Sequence, residues 1–346
     1  MMTSTVFGGH ISLTPSRAFL IAAPALIALL IAAIVASLAT GSTAVTPVDL
    51  LKAVLYPPGE QGDVAKAISL LRVPRVFMAV LAGALLALSG YLLQIVSRNG
   101  LADPGILGLS DGATVAVIGG AFLWPAIAST ISSLLAFAGA LAVAGLVIGL
   151  GRRLLSGGGI ILVGLALNIV LGSVVEVILA SGSATQFAQL LTWSRGTLNT
   201  VEGDGLRLVA FWFLAIVPVV LLISRRFGPM LLGADEALAT GVAIRQTNML
   251  LILLAAGAAA PVVATCGPIA FIGLMAAHMA RAIVGDRPTE VLILAMLAGA
   301  LILLVADTLG RSLFAPLIVS AGVMVSVAGV LAFLAIAALK FARGRT

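Results

Sequence analysis

Residues 71–112 read LRVPRVFMAVLAGALLALSGYLLQIVSRNGLADPGILGLSDG. An apolar run carrying small residues and one glutamine, Gln94, ends at Arg98-Asn99. A turn-rich stretch follows, and then a second apolar run begins. A soluble domain has no use for so much continuous hydrophobicity, and a plain membrane anchor has no use for the polar punctuation. The stretch reads as two membrane helices joined by a short polar turn.

Outward from this segment the pattern repeats. The chain has 346 residues, 61% of them hydrophobic and 9% charged, with a mean hydropathy of +1.23. Apolar runs of about 20 residues can cross the hydrocarbon core. Their continuity, without strand-like alternation, argues against a spanning β-barrel. The expected fold is an all-α polytopic membrane protein with ten transmembrane helices. The spans are 18–40, 74–96, 105–123, 127–150, 158–181, 208–223, 247–265, 268–283, 289–310 and 318–339. The Cys266-Gly267-Pro268 break separates the seventh from the eighth, because glycine and proline punctuate helices. The longest polar stretches are loop-sized, so residues 1–346 are expected to form one membrane domain with a short N-terminal segment, 1–17.

Ten spans place both termini on one side. Twelve of the 19 lysines and arginines fall on that side, mostly in short loops, against seven on the other. The positive-inside rule puts the richer side, and both termini, in the cytoplasm. Basic residues flanking membrane helices account for the net charge of +6, and nucleic acid is not needed to explain it. The first apolar run is too long for the core of a cleaved signal peptide and is expected to be retained. One cysteine, Cys266, excludes an internal disulfide. His10 and His278 have no ligand cluster beside them, so no metal site is expected. The sequence has no Gly-x-x-x-x-Gly-Lys-Ser/Thr phosphate loop, no His-Glu-x-x-His pair and no Gly-x-Ser-x-Gly elbow. It is therefore expected to bind no cofactor and no ATP of its own.

Several local patterns carry more than one reading. Arg72 and Arg75 flank Pro74 at the start of the second span, where proline is well tolerated. They suit interfacial anchoring or a cationic docking point. Gly83, Ala87 and Gly90 would let neighbouring helices approach closely, and Gln94 suits an interhelical hydrogen bond. Asp103-Pro104 suits a turn and a helix start. In the fifth span Gly164, Asn168, Gly172 and Glu176 recur every four residues and share a face. That face is either a packing stripe or the wall of a polar path. Trp193 suits an interfacial belt. In the 224–246 loop, LGADEALATGV (232–242) suits a short helix stopped at Gly241. Glu176 and Asp307 would be the proton carriers if the chain were a secondary transporter.

From about Leu71 to Leu334 these motifs resemble the FecCD/BtuC-like permease family of type II ABC importers, which take up iron-siderophores, haem and cobalamin. The resemblance rests on Arg72-Val-Pro-Arg75, Arg98-Asn99 through Gly112, Trp193-Ser-Arg-Gly196-Thr-Leu198, Gly267-Pro-Ile-Ala-Phe-Ile-Gly273 through His278 and Arg281, and Ala306-Asp-Thr-Leu-Gly-Arg311. Gly100 and Ala277 stand where the family has proline. Ile318 and Ser320 stand where it has the glutamate and proline of Glu-x-Pro-x-Gly. Ala277 puts a local helix kink in question, and Ile318 and Ser320 the geometry before the last span.

The resemblance implies a non-catalytic permease subunit in a bacterial cytoplasmic membrane, working as a homo- or heterodimer. Two cytoplasmic ATPase subunits would bind the ATP and Mg²⁺, and a periplasmic or lipid-anchored binding protein would deliver substrate. Of the substrates, an iron(III)-siderophore of hydroxamate type is the expectation, with haem and cobalamin as alternatives. It further implies ATPase coupling by Asp235, Glu236, Ala237 and Gly241, and binding-protein docking by Arg72, Arg75 and Arg311. The translocation pathway would be lined by Gly164, Asn168, Gly172 and Glu176, and the outer gate would contain Trp193 and Gly196.

Overall fold

The structure is a computed structural model that describes residues 15–40, 46, 48–49, 52, 62–105, 107–151, 159–181, 191–199, 203–314 and 317–343. Every predicted span corresponds to a helix. Helix α1 is Arg17–Ala39. The short α2, Asp63–Ala67, continues through a π-helical turn at Ile68–Arg72 into α3, Val73–Ser97. Then follow α4 (Leu109–Leu123), α5 (Pro125–Gly151), α6 (Gly159–Ser181) and α7 (Gly203–Ile223). Two short helices, α8 (Phe227–Leu232) and α9 (Ala234–Ala239), precede α10 (Ile244–Cys266). The chain closes with α11 (Ile272–Val284), α12 (Pro288–Ser312) and α13 (Ala321–Arg343). The split predicted at Cys266-Gly267-Pro268 is real: residues 267–271 are non-helical.

Helix α3 lies at the centre, packed against α7, α10, α11 and α12. Its small residues make this possible. A methyl group on Gly90 would sit 2.5 Å from the Cα of Gly273 in α11, and one on Gly83 would collide with the carbonyl of Gly299 in α12. Ser89 Oγ donates to the Ala255 carbonyl of α10 at 2.8 Å, so its one polar group is satisfied inside the bundle. Gln94 makes the expected interhelical contacts and more: its amide Nε2 donates to the carbonyls of Gly273 and Ala102, and its Oε1 accepts from Arg281 at 2.7 Å. Helix α1, by contrast, packs along α12 at the edge of the bundle and leaves Ile21, Ile31 and Val35 exposed, as a lipid-facing helix should.

One local expectation changes, and one question is answered. Asp103-Pro104 does not start the third helix. The chain runs on non-helically and α4 begins at Leu109, after Gly108 in the left-handed region at φ 73°. The physical reason is that the 102–105 backbone already has partners outside a helix. The Ala102 carbonyl accepts from Gln94 and the Gly105 carbonyl from Asn168. At Ala277, α11 is uninterrupted, and its alanine side chain is fully buried.

Candidate functional site

At one end of the bundle two arginines, Arg75 and Arg311, meet one aspartate, and a third, Arg72, lies near them. Asp307, 1% exposed on the last turns of α12, accepts from Arg75 Nε at 2.9 and 3.1 Å and from Arg75 Nη2 at 2.7 Å. Arg311, one turn further along α12, has its Nε 3.8 Å from the same carboxylate. Its Nη1 donates to the Thr40 carbonyl at 3.1 Å, and its Nη2 to Ser37 Oγ at 2.7 Å. Arg72 Nη1 donates to the Leu38 carbonyl at 2.9 Å. The three predicted docking residues are thus brought together, and they also tie α3 and α12 to the end of α1. Pro74 cannot donate to the carbonyl four residues back, which accounts for the π-helical turn just before it.

The four-residue stripe on α6 divides along its length. Gly164 is buried, Asn168 and Gly172 are partly buried, and Glu176 is exposed. Asn168 Nδ2 donates to the Gly105 carbonyl at 2.9 Å and to Asp111 Oδ2 at 2.5 Å, fastening α6 to the start of α4. Asn168 also borders a cavity of about 300 Å³, walled by Asp103, Asp111, Leu165 and the 268–271 linker. Asp103 Oδ1 accepts from the Gly105 N–H at 3.0 Å. Burial pushes the Asp103 carboxyl up to about 6, and that N–H bond only partly opposes it. Phe271 closes the linker with φ 70°, a rare conformation for an aromatic residue. Neither aspartate was among the site residues expected from the sequence. A carboxylate at the third residue of a helix, as Asp111 is, reads as ordinary N-terminal chemistry until its long-range partner is known.

Trp193 lies in a helical turn, 191–194, and Gly196 N–H donates back to its carbonyl at 3.0 Å. Three backbones then cross. Thr197 N–H donates to the Cys266 carbonyl at 2.7 Å, and Gly322 N–H to the Gly196 carbonyl at 2.9 Å. A methyl group on Gly196 would meet the Pro268 carbonyl at 2.6 Å. Ser320, which departs from the family pattern, donates its hydroxyl to the Arg195 carbonyl at 3.2 Å. The loop bearing Trp193, the linker that walls the cavity and the start of α13 are therefore joined at one point.

The 224–246 loop folds as α8 and α9 after a 3₁₀ turn at Ser224–Arg226. Asp235 and Glu236 are exposed in the first turn of α9, where negative charge complements the helix dipole. Gly241, at φ 76°, ends it. Its N–H donates to Leu238 and the N–H of Val242 donates to Ala237, the paired bonds of a Schellman cap. Ala237 and Val242 are both buried beneath this cap, while Leu238 is 62% exposed.

Among the described residues, no group of three or more acidic, histidine or cysteine side chains is placed to hold a metal. Five described helices are long and apolar enough to cross a membrane, and five shorter apolar helices accompany them. Fold and site together define a multi-pass membrane permease. The sequence profile of the FecCD transport family matches residues 29–338, and the chain belongs to that family. It is accordingly a non-catalytic, membrane-spanning permease of the ABC importer type, in which ATP hydrolysis resides in a separate subunit. The chain is 34% identical to the Fe(3+)-citrate import system permease protein YfmE of Bacillus subtilis, over 78% of this chain and 80% of that protein. It is 36% identical to the hemin transport system permease protein HmuU of Yersinia pestis, over 75% and 79%. Among solved structures, it is similar to a chain from an inward-facing conformation of a metal-chelate type ABC transporter. The TM-score is 0.79 with 25% identity, covering 92% of this chain and 99% of that one.

Proposed function

We propose that this permease carries an iron(III)-siderophore, of the hydroxamate type, into the cytoplasm. The observation that carries the reading is family membership over most of the chain together with a relative named for an iron chelate. The chain works as a dimer with a second permease subunit, homomeric or heteromeric, and both termini face the cytoplasm. Two ATPase subunits bind ATP and Mg²⁺. A periplasmic or lipid-anchored binding protein delivers the chelate to the outer face.

In this reading each cluster has a task. Arg72, Arg75 and Arg311 receive the acidic binding protein. Helix α6, with Gly164, Asn168, Gly172 and Glu176, borders the path, and the loop with Trp193 and Gly196 gates it. Asp235, Glu236, Ala237 and Gly241 form the coupling helix, with α9 lying in a groove of the ATPase. Closure of the ATPases on ATP shifts α9, and the bundle moves between outward- and inward-facing packings. The one-point junction of the gate loop, the cavity linker and α13 supports movement of these parts as a unit.

A second reading, haem as the substrate, is favoured by the identity to the hemin permease. Uptake by the complete transporter in proteoliposomes separates the two. ATP-dependent accumulation of a radiolabelled ferric hydroxamate, with none of haem, is expected. Accumulation of haem alone would select the second reading.

A further inference from the structure

We propose that Asp307 is the positioning residue of the outer arginine cluster, holding Arg75 in the pose in which a carboxylate-bearing partner meets it. This rests on the docking role proposed for Arg72, Arg75 and Arg311, and adds to it a residue that the partner never touches. Asp307 is 1% exposed, whereas Arg75 keeps 17% of its side chain exposed. Both oxygens of Asp307 accept from Arg75, through Nε and Nη2. Such a two-point pair fixes the plane of the guanidinium as well as its location.

Charge alone gives no reason for a carboxylate here. Three arginines and one aspartate sum to +2, whereas the cluster without Asp307 would carry +3. A stronger positive field would attract an acidic partner faster. The aspartate therefore weakens long-range steering, and its geometry is what offsets that loss. Long, rotamer-rich side chains must be ordered when a complex forms, and ordering them beforehand lowers the cost of association. Arg311 is likewise held, by the end of α1, and Arg72 by the Leu38 carbonyl. With Asp307 in place, every guanidinium of the cluster has a fixed acceptor before any partner arrives.

Steering and positioning predict opposite signs for Asp307→Asn. The experiment is association of the fluorescently labelled cognate binding protein with the complete permease–ATPase complex in lipid nanodiscs, at low and high salt. If Asp307 positions Arg75, Asp307→Asn slows association roughly three- to tenfold, the effect of freeing one rotamer-rich side chain. It does so despite the added positive charge. Arg75→Lys keeps every charge but can make only a one-point pair, so it slows association similarly. It carries the test should the Asp307 variant fail to assemble. The Arg72→Glu/Arg75→Glu double variant tests the underlying reading. If that variant slows docking while Asp307→Asn and Arg75→Lys associate at the normal rate or faster, the positioning role is overturned and the docking role stands. Normal association by the double glutamate variant would overturn the docking role itself.

Discussion

Gly241 isolates one physical effect. Its φ of 76° lies in the left-handed region, and an added methyl group would meet nothing within 4 Å. A side chain there is opposed by the backbone alone, at about 1–2 kcal/mol. Gly241→Val should therefore leave membrane insertion intact while loosening the end of α9. Transport and substrate-stimulated ATP hydrolysis should fall together, and Gly241→Asn, which tolerates this conformation better, should recover part of both. Full transport by Gly241→Val would remove α9 from the coupling path.

Asp103 supplies a second test at this scale. Its carboxyl is raised from 3.8 to about 6 by burial, so the folded protein holds that proton more tightly than the unfolded chain. The resulting stabilisation is fully present below about pH 4 and is lost as pH rises through about 6, an effect of roughly 3 kcal/mol. Asp103→Asn should flatten that part of the stability–pH profile, measured by thermal unfolding in detergent. An unchanged slope between those pH values would show that Asp103 is not the group responsible.

Among the elements, α3 bears the closest packing. Gly90 and Gly273 are in near backbone contact, and no rotamer change can make room for a side chain there. Gly90→Val should destabilise the protein by roughly 1–3 kcal/mol, as overpacking does. Gly119→Ala in α4, where an added methyl group meets nothing within 4 Å, should not destabilise it. Equal melting temperatures for the two variants in one detergent would contradict the packing described. The helices themselves were readable from the sequence because each is an apolar run. The break after Cys266 was readable because glycine and proline mark it. The start of α4 was not. Asp103-Pro104 has the local form of a helix start, but Gln94 and Asn168, distant in sequence or on another helix, claim the neighbouring carbonyls. The Arg75–Asp307 pair joins residues 232 positions apart, and no periodicity says which helices adjoin. The end of α9 was readable because a glycine after a short amphipathic run has few other uses.

At the scale of the whole molecule, the described parts form a chain of contacts from the arginine cluster to α9. The arginine cluster joins α1, α3 and α12. Helix α3 packs on α10 and α11, and α9 leads directly into α10. The linker between α10 and α11 walls the cavity and bonds to the loop bearing Trp193. If α9 couples to an ATPase as proposed, a shift there has a packed route to the cavity. The permease class follows from family membership, and with it the central claim that this chain moves substrate only when a separate ATPase drives it. The direct measurement is substrate uptake into proteoliposomes containing this chain and its permease partner, with and without the ATPase subunits and binding protein, under ATP or under a proton gradient alone. The account predicts accumulation only when the ATPase subunits, the binding protein and hydrolysable ATP are all present. Accumulation driven by the proton gradient, with the ATPase subunits absent, would contradict it.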